Sequence, residues 1–255
     1  TAALTIGRGG SPINGVNSAD VTISTAGASI FLVYVDASQG WVATQDDSST
    51  FKGEAFLTAT GGTETISGNC KIHTFTGPGN FVVSQISSTA AQNEVSYMVV
   101  GGGGGAGTGA NVNGQEGGAG GGAGGFRETK SPITPYTASP LDGQPSAPNR
   151  ITVTAATFPI TVGAGGAGGA QPGPFTTSLP GTVGSNSSFS TIIGAGGGKG
   201  GGGGPSPQGD GGSGGSGGGA GAGNCTAGSG NTPPVSPAQG TNGSTGTTSA
   251  GGAGG

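Results

Sequence analysis

Charge is scarce in this sequence. Lys and Arg number 7 and Asp and Glu 11 across 255 residues, with a net charge of -4. Seven scattered basic residues form no patch, so neither nucleic acid nor an anionic membrane surface is implied as a partner. There is one histidine, His73. Any Ser-His-Asp or Cys-His site would have to use it, and on its alternating strand it reads as a surface residue. The two cysteines, Cys70 and Cys225, are far apart and give neither a disulfide framework nor a metal-ligand spacing. No apolar run approaches the roughly 20 residues that span a bilayer. No stretch of useful length has helical periodicity, and hydrophobic residues reach only 30%. No catalytic site, cofactor site or metal site is expected, and no membrane insertion.

What is present is glycine. The chain has 64, and most lie beyond residue 100, in runs at 101–109, 117–125, 163–169, 194–204, 211–223 and 251–255. Such a segment has too few large side chains for an ordinary core. Either it is disordered, or its backbone is the packing material. Collagen is excluded because no Gly-X-Y period is kept. Silk-like stacking needs an alternating register that appears only in fragments such as Ala220-Gly221-Ala222-Gly223. The ordered option is a bundle of polyglycine helices of the polyproline II type, with three residues per turn. Their N–H and C=O groups must then be satisfied between neighbouring helices. On this reading alanine and serine sit at outward positions, Ser213 and Ser216 share one side, and Lys199 points to solvent.

The first hundred residues read as β structure. Residues 1–20 look like a lead-in or linker, 21–53 a small β module, and 54–100 a second β module that forms a base. Val21–Thr25 and Ser29–Val35 are strand candidates, the latter continuous enough to suggest cover on both faces. Trp41–Thr44 starts the return strand of a hairpin, with Trp41 as a core or interface plug. Further strands are expected at 56–60, 63–67, 71–75, 81–86 and 94–100, arranged as one or two small sandwiches. The fold class is therefore all-β modules followed by a glycine-rich, polyproline-II-like bundle over 101–255, with essentially no α-helix.

The glycine half separates small-residue runs from inserts that hold its prolines and aromatics. Disordered tracts mix residue types, so this segregation favours order. Three runs follow an aromatic and a short apolar strand: Tyr97-Met98-Val99-Val100, Phe158–Val162 and Phe189–Ile193. They are expected to leave the base in one direction, with 117–125 and 211–223 returning. Loops 110–116, 170–188 and 205–210 then fall at the far end. In those loops Asn111, Asn113, Gln115, Phe175, Pro205 and Gln208 are the candidate contact residues. The loop aromatics Tyr136 and Phe175 could stack on sugars, or simply cap the ends of the bundle.

A family resemblance appears in four ordered segments. They are Phe75-Thr76-Gly77-Pro78-Gly79-Asn80-Phe81-Val82-Val83, Glu94–Gly101, Gly117–Arg127 and Ile160–Gly166. Together they resemble the glycine-rich domain of tailed-phage fibre and adhesin proteins over roughly 71–255. The resemblance implies a non-enzymatic virion protein, a tail-fibre or fibre-tip component whose loops bind the host surface. No residue role transfers, because the family's loops vary. The partners implied are other fibre or baseplate subunits, met through residues 1–100, and a host surface protein or glycan, with a homotrimer as one arrangement. The alternatives are a purely structural fibre or decoration protein, an ice-binding polyglycine protein, and an extracellular bacterial surface protein.

Overall fold

The computed structural model describes residues 4–13, 20–23, 30–46, 56–87, 89–109, 117–170 and 178–255. Among them there is no α-helix, only two short 3-10 turns at Ala90–Asn93 and Ala147–Asn149. The chain divides into one unit of residues 1–56 with 87–89, and a second of residues 57–86 with 90–255.

In the first unit, β1 (Leu4–Ile6) pairs antiparallel with β2 (Val21–Ile23), so part of the lead-in is a strand. β3 (Ile30–Asp36) and β4 (Gly40–Asp46) form the expected hairpin. Its turn is held by Asp36 Oδ1, which accepts from the amides of Ser38 and Gln39 at 2.8 and 2.6 Å. Short acidic side chains stabilise turns in this way. The return needs a glycine, since Gly40 has φ +68° and a Cβ there would meet Pro12 O. The expected cover on both faces of β3 is not found. Phe31 and Val35 are 63% and 56% exposed, because the sheet has two strands and no second layer over them among the described residues. Trp41 is likewise half-exposed, so it plugs no core within the chain, and it lies edge-on to Tyr34 with ring centroids 5.4 Å apart.

The second unit starts with β5 (Thr58–Thr60), a hairpin of β6 (Thr63–Ser67) and β7 (Cys70–Thr74), and β8 (Gly79–Gln85). The segment read as one strand over 94–100 is two, β9 (Glu94–Val95) and β10 (Tyr97–Val100). The glycine half then supplies β11 (Phe126–Thr129), β12 (Ile151–Thr152), β13 (Thr157–Thr161), β14 (Ser187–Phe189) and β15 (Ile192–Gly194). The main sheet has the order β15-β14-β13-β8-β5, antiparallel throughout. The base is therefore built jointly by residues before and after position 100.

Its core gathers Phe81, Val83, Tyr97, Val99, Ile151, Val153, Phe189 and Ile192. Phe189 is central, edge-on to Phe81 at 5.8 Å and to Tyr97 at 6.2 Å. Each large apolar side chain fully buried here contributes about 1.5–3 kcal/mol. In β10 the alternation puts Tyr97 and Val99 inside and Met98 and Val100 outside, as a period of two requires. His73 is not on the surface. Its Nδ1–H donates to Gly61 O at 2.8 Å, and the ring packs edge-on to Phe81 at 5.0 Å. The strand alternation was read correctly, but the face carrying His73 and Phe75 is the inner one.

Ten extended runs fill the rest of the unit among the described residues. They are run 1 (101–109), run 2 (117–125), run 3 (163–169), run 4 (178–186), run 5 (195–204), run 6 (209–215), run 7 (216–223), run 8 (225–231), run 9 (240–247) and run 10 (250–255). They are joined sideways by backbone hydrogen bonds that recur every third residue. Run 1 donates to run 2 from Gly101, Gly104 and Gly107, and to run 4 from Gly102, Gly105 and Thr108, all at 2.8–3.0 Å. Run 3 donates to run 1 from Gly166 and Gly169, at 2.8 Å. Bonding one neighbour at every third residue is the period of a helix with three residues per turn.

Run 7 is the centre of this lattice. Its amides go in rotation to run 2, run 9 and run 6, as from Ser216 to Ala123, Gly217 to Thr241 and Gly218 to Gly212. Its carbonyls accept in rotation from run 5, run 10 and run 8, as from Gly198, Gly255 and Gly228. Six neighbours thus bond both the amides and the carbonyls from Ser216 to Ala220, as a buried backbone requires.

The bonding registers make runs 1, 3 and 5 parallel, as their strand-led starts suggested, with run 2 antiparallel to them. Three readings change. Residues 178–186, taken as loop, are a lattice run. The segment 211–223 is not one returning run: run 6 comes back, and run 7 goes out again. Third, alanine and serine are not confined to outward positions. Ala220 and Ala222 are 0% exposed, Ala119 2% and Ser216 5%. Ser213 and Ser216 do not share a side, because the turn between runs 6 and 7 leaves the first exposed and the second buried. Lys199 is half-buried, its stem against Gly212.

Candidate functional site

Alternation of the ten runs sorts the described connections to one of two ends. At the sheet end lie the insert 126–162, the β14–β15 hairpin, the turn between runs 6 and 7, and residues 232–239. At the far end lie the turn 205–208, the bend at Asn224 and the turn 247–250; residues 110–116 and 171–177 are outside the described residues. The far end is the candidate surface.

Its described part is polar and tightly anchored. Pro205 O accepts from the amides of Gln208 and Gly209 at 3.1 and 3.3 Å, which closes the turn. Asp210 ties the turn to run 8, since Ser206 Oγ donates to its Oδ2 at 2.7 Å and the Thr226 amide to its Oδ1 at 2.9 Å. The Ser206 hydroxyl, and then the Thr226 amide, hold the Asp210 carboxyl below its usual range. Beneath the turn the buried Cys225 donates from Sγ to Gly204 O at 3.1 Å. Burial, and then the Asp210 charge, push that thiol up. Thr247 closes the neighbouring turn, its amide donating to Ala250 O at 2.8 Å and its Oγ1 accepting from the Ala250 amide at 3.0 Å. The side chains of residues 205–208, Asn224 and 247–250 are exposed. This surface offers amide, hydroxyl and pyrrolidine groups on a fixed backbone, which suits recognition by shape and hydrogen bonding.

Polar side chains also close the opposite end. Gln239, 2% exposed, accepts from the Ala195 amide at 2.9 Å and donates from Nε2 to Pro233 O at 2.8 Å. Asn149 accepts from Arg127 Nη2 at 2.6 Å and donates to Ser236 O at 2.8 Å, and its carbonyl accepts from the Tyr97 hydroxyl at 2.6 Å. These groups satisfy backbone atoms where the lattice meets the sheet. A buried donor left without a partner costs about 1–3 kcal/mol.

Of the sequence-derived candidates, Pro205 and Gln208 stand exposed at the far end. Asn111, Asn113, Gln115 and Phe175 fall outside the described residues. Tyr136 is at the sheet end, beside Glu128 in the insert 126–162. Sequence reasoning missed Asn224 and Thr247–Ala250, because runs 8 and 9 were taken for insert. A signal was available: Gly240, Gly243 and Gly246 keep the three-residue spacing of a lattice face. In run 4, Gly181 and Gly184 do the same. Among the described residues no three of His, Cys, Asp and Glu gather as a metal-binding group.

Comparison with known families places this arrangement. Residues 74–255 match the family described as a glycine-rich domain, and the chain belongs to that family. Neither the curated proteins nor the solved structures supply a match.

Proposed function

We propose that the protein is a virion structural component, a tail-fibre or fibre-tip subunit whose far-end loops bind the host surface. In this reading the ten runs are polyglycine II helices, and the protein carries no catalytic site. The observation that carries it is the sorting of connections. Exposed, polar, individually anchored turns collect at one end of a lattice that is otherwise nearly free of side chains. A scaffold of this kind separates stiffness from specificity. Residues 1–100 would join other fibre or baseplate subunits, and β3 offers exposed Phe31, Val33, Tyr34 and Val35 for that purpose. The partner at the tip is a host surface protein or glycan, and several copies per particle would add avidity.

The test has two parts. Mass spectrometry of purified phage particles should detect the chain. Exchange of residues 205–208 and 247–250 for glycine-serine segments should abolish binding of the labelled protein to host cells while leaving its melting temperature in place. Absence from particles would end the virion reading. Unchanged cell binding would place the contact outside these two turns, and no cell binding by the parent protein would leave a fibre protein without receptor contact.

A further inference from the structure

A polyglycine lattice has a register problem. Displacing a run by one turn, about 9 Å, offers every neighbour the same backbone groups again. Around the turn between runs 6 and 7 the sequence does nothing to prevent a slip toward the sheet. Gly211-Gly212-Ser213-Gly214-Gly215-Ser216 reads the same after a shift of three residues. Something else must hold run 7, whose amides and carbonyls serve six neighbours.

We infer that Ala220, Ala222 and Asn224 are the register lock of run 7. A slip of one turn toward the sheet would put each residue in the place of the one three positions before it. Ala220 would take the site of Gly217, where a Cβ meets Gly228 O, and Ala222 the site of Gly219, where it meets Gly252 O. Asn224 would take the site of Gly221, where the obstacle is Gly202 O. All three obstacles are backbone atoms of well-bonded neighbouring runs, so they cannot swing aside. The glycines of the run would fit wherever they landed. Cys225 would take the place of Ala222, a site that already admits a Cβ. The slack would be taken up by Ser216-Gly217-Gly218 bulging at the sheet-end turn, with run 8 giving up its first turn. A slip the other way is blocked by Ser216, which would arrive at the closed site of Gly219. The few side chains buried in run 7 thus select one register out of several with equivalent backbone bonding, and hold the bend at Asn224 level with the turn 205–208.

Alkylation of an S216C thiol, read by peptide mass mapping on the full chain, tests this. Ser216 is 5% exposed and Cys225 6%, so both thiols should be protected in the parent background, while an S213C thiol reacts freely. In the A220G/A222G/N224G background the run can slip. Protection at position 216 should then fall to the rate of the exposed S213C, while Cys225 stays protected at its new site. Asn224 has φ 59°, so glycine is no strain there. With Ala222 retained, as in A220G/N224G, one Cβ still blocks the path, and position 216 should remain protected. Joint exposure of position 216 and Cys225 would mean general loosening and overturns the inference. Continued protection of position 216 in the triple variant overturns it as well. So does a triple variant that fails to fold, because the slipped register is a folded alternative.

Discussion

At the scale of the residue, glycines of one run differ in how closely backbone is packed against them, and sequence does not tell them apart. A Cβ on Gly104 would fall on Gly198 O, and one on Gly198 would fall on Gly212 O. Gly103 and Gly165, by contrast, have nothing nearer to such a Cβ than carbonyl oxygens at 3.8 and 3.7 Å. Replacing Gly104 or Gly198 by alanine should therefore destabilise the protein by about 1–3 kcal/mol or more through overpacking. Gly103→Ala and Gly165→Ala should instead raise stability by about 0.4–1 kcal/mol, because alanine has less freedom to lose from the unfolded chain. Thermal melts of the four variants check the contrast. Equal losses at all four positions would mean that lattice contact is not what the glycines supply.

At the scale of the element, the insert 126–162 works as a clamp on the sheet end. Glu128 is 9% exposed, and its Oε2 accepts from the Ser139 amide at 3.0 Å. Asp142 Oδ1 accepts from the amides of Lys130 and Gln144 at 3.0 and 2.9 Å. Against this group lies Tyr136, whose hydroxyl is pushed up from 10.0 to about 12, first by burial and then by the Glu128 charge. A folded value above the unfolded one means that the neutral phenol is favoured in the native state. Its contribution to stability is complete below pH 10 and is lost as pH rises from 10 through about 12. Burial raises Tyr97 in the same direction. Phenolate absorbance followed against pH should show a late transition that disappears in Tyr136→Phe. An unchanged titration in that variant would place the late group elsewhere.

At the scale of the whole molecule, the sheet and the lattice belong to one compact unit. β13 pairs with β8 over Thr157–Ile160 and Gly79–Val82, so residues from both sides of the first glycine run share a core. A fragment of residues 57–255 should melt in one cooperative transition close to that of the full chain. A fragment beginning at residue 95 lacks β5 and β8 and loses Phe81 from against Phe189. It should show no cooperative melt by circular dichroism. Equal behaviour of the two fragments would show that the glycine runs stand without the sheet.

Composition and periodicity carried several features by themselves. Missing helical periodicity excluded α-helix, alternation marked most strands within a residue or two, and the strand-led starts at Tyr97, Phe158 and Phe189 foretold three parallel runs. Strong local signals suffice for such features, since two-residue alternation and β propensity act over a few residues. Part of the rest was legible and overlooked, as in the three-residue spacing of Gly240, Gly243 and Gly246. The remainder was not legible. A glycine run has no side-chain pattern, so nothing local marks its break between Gly215 and Ser216 or the burial of Ala220. Which face of β7 turned inward depended on where His73 met Gly61 and Phe81. The sequence by itself pointed to backbone, not side chains, as the packing material of the glycine runs. Only the tertiary structure decided which run lies at the centre and which turns reach the far end, because those follow from six neighbours meeting at once.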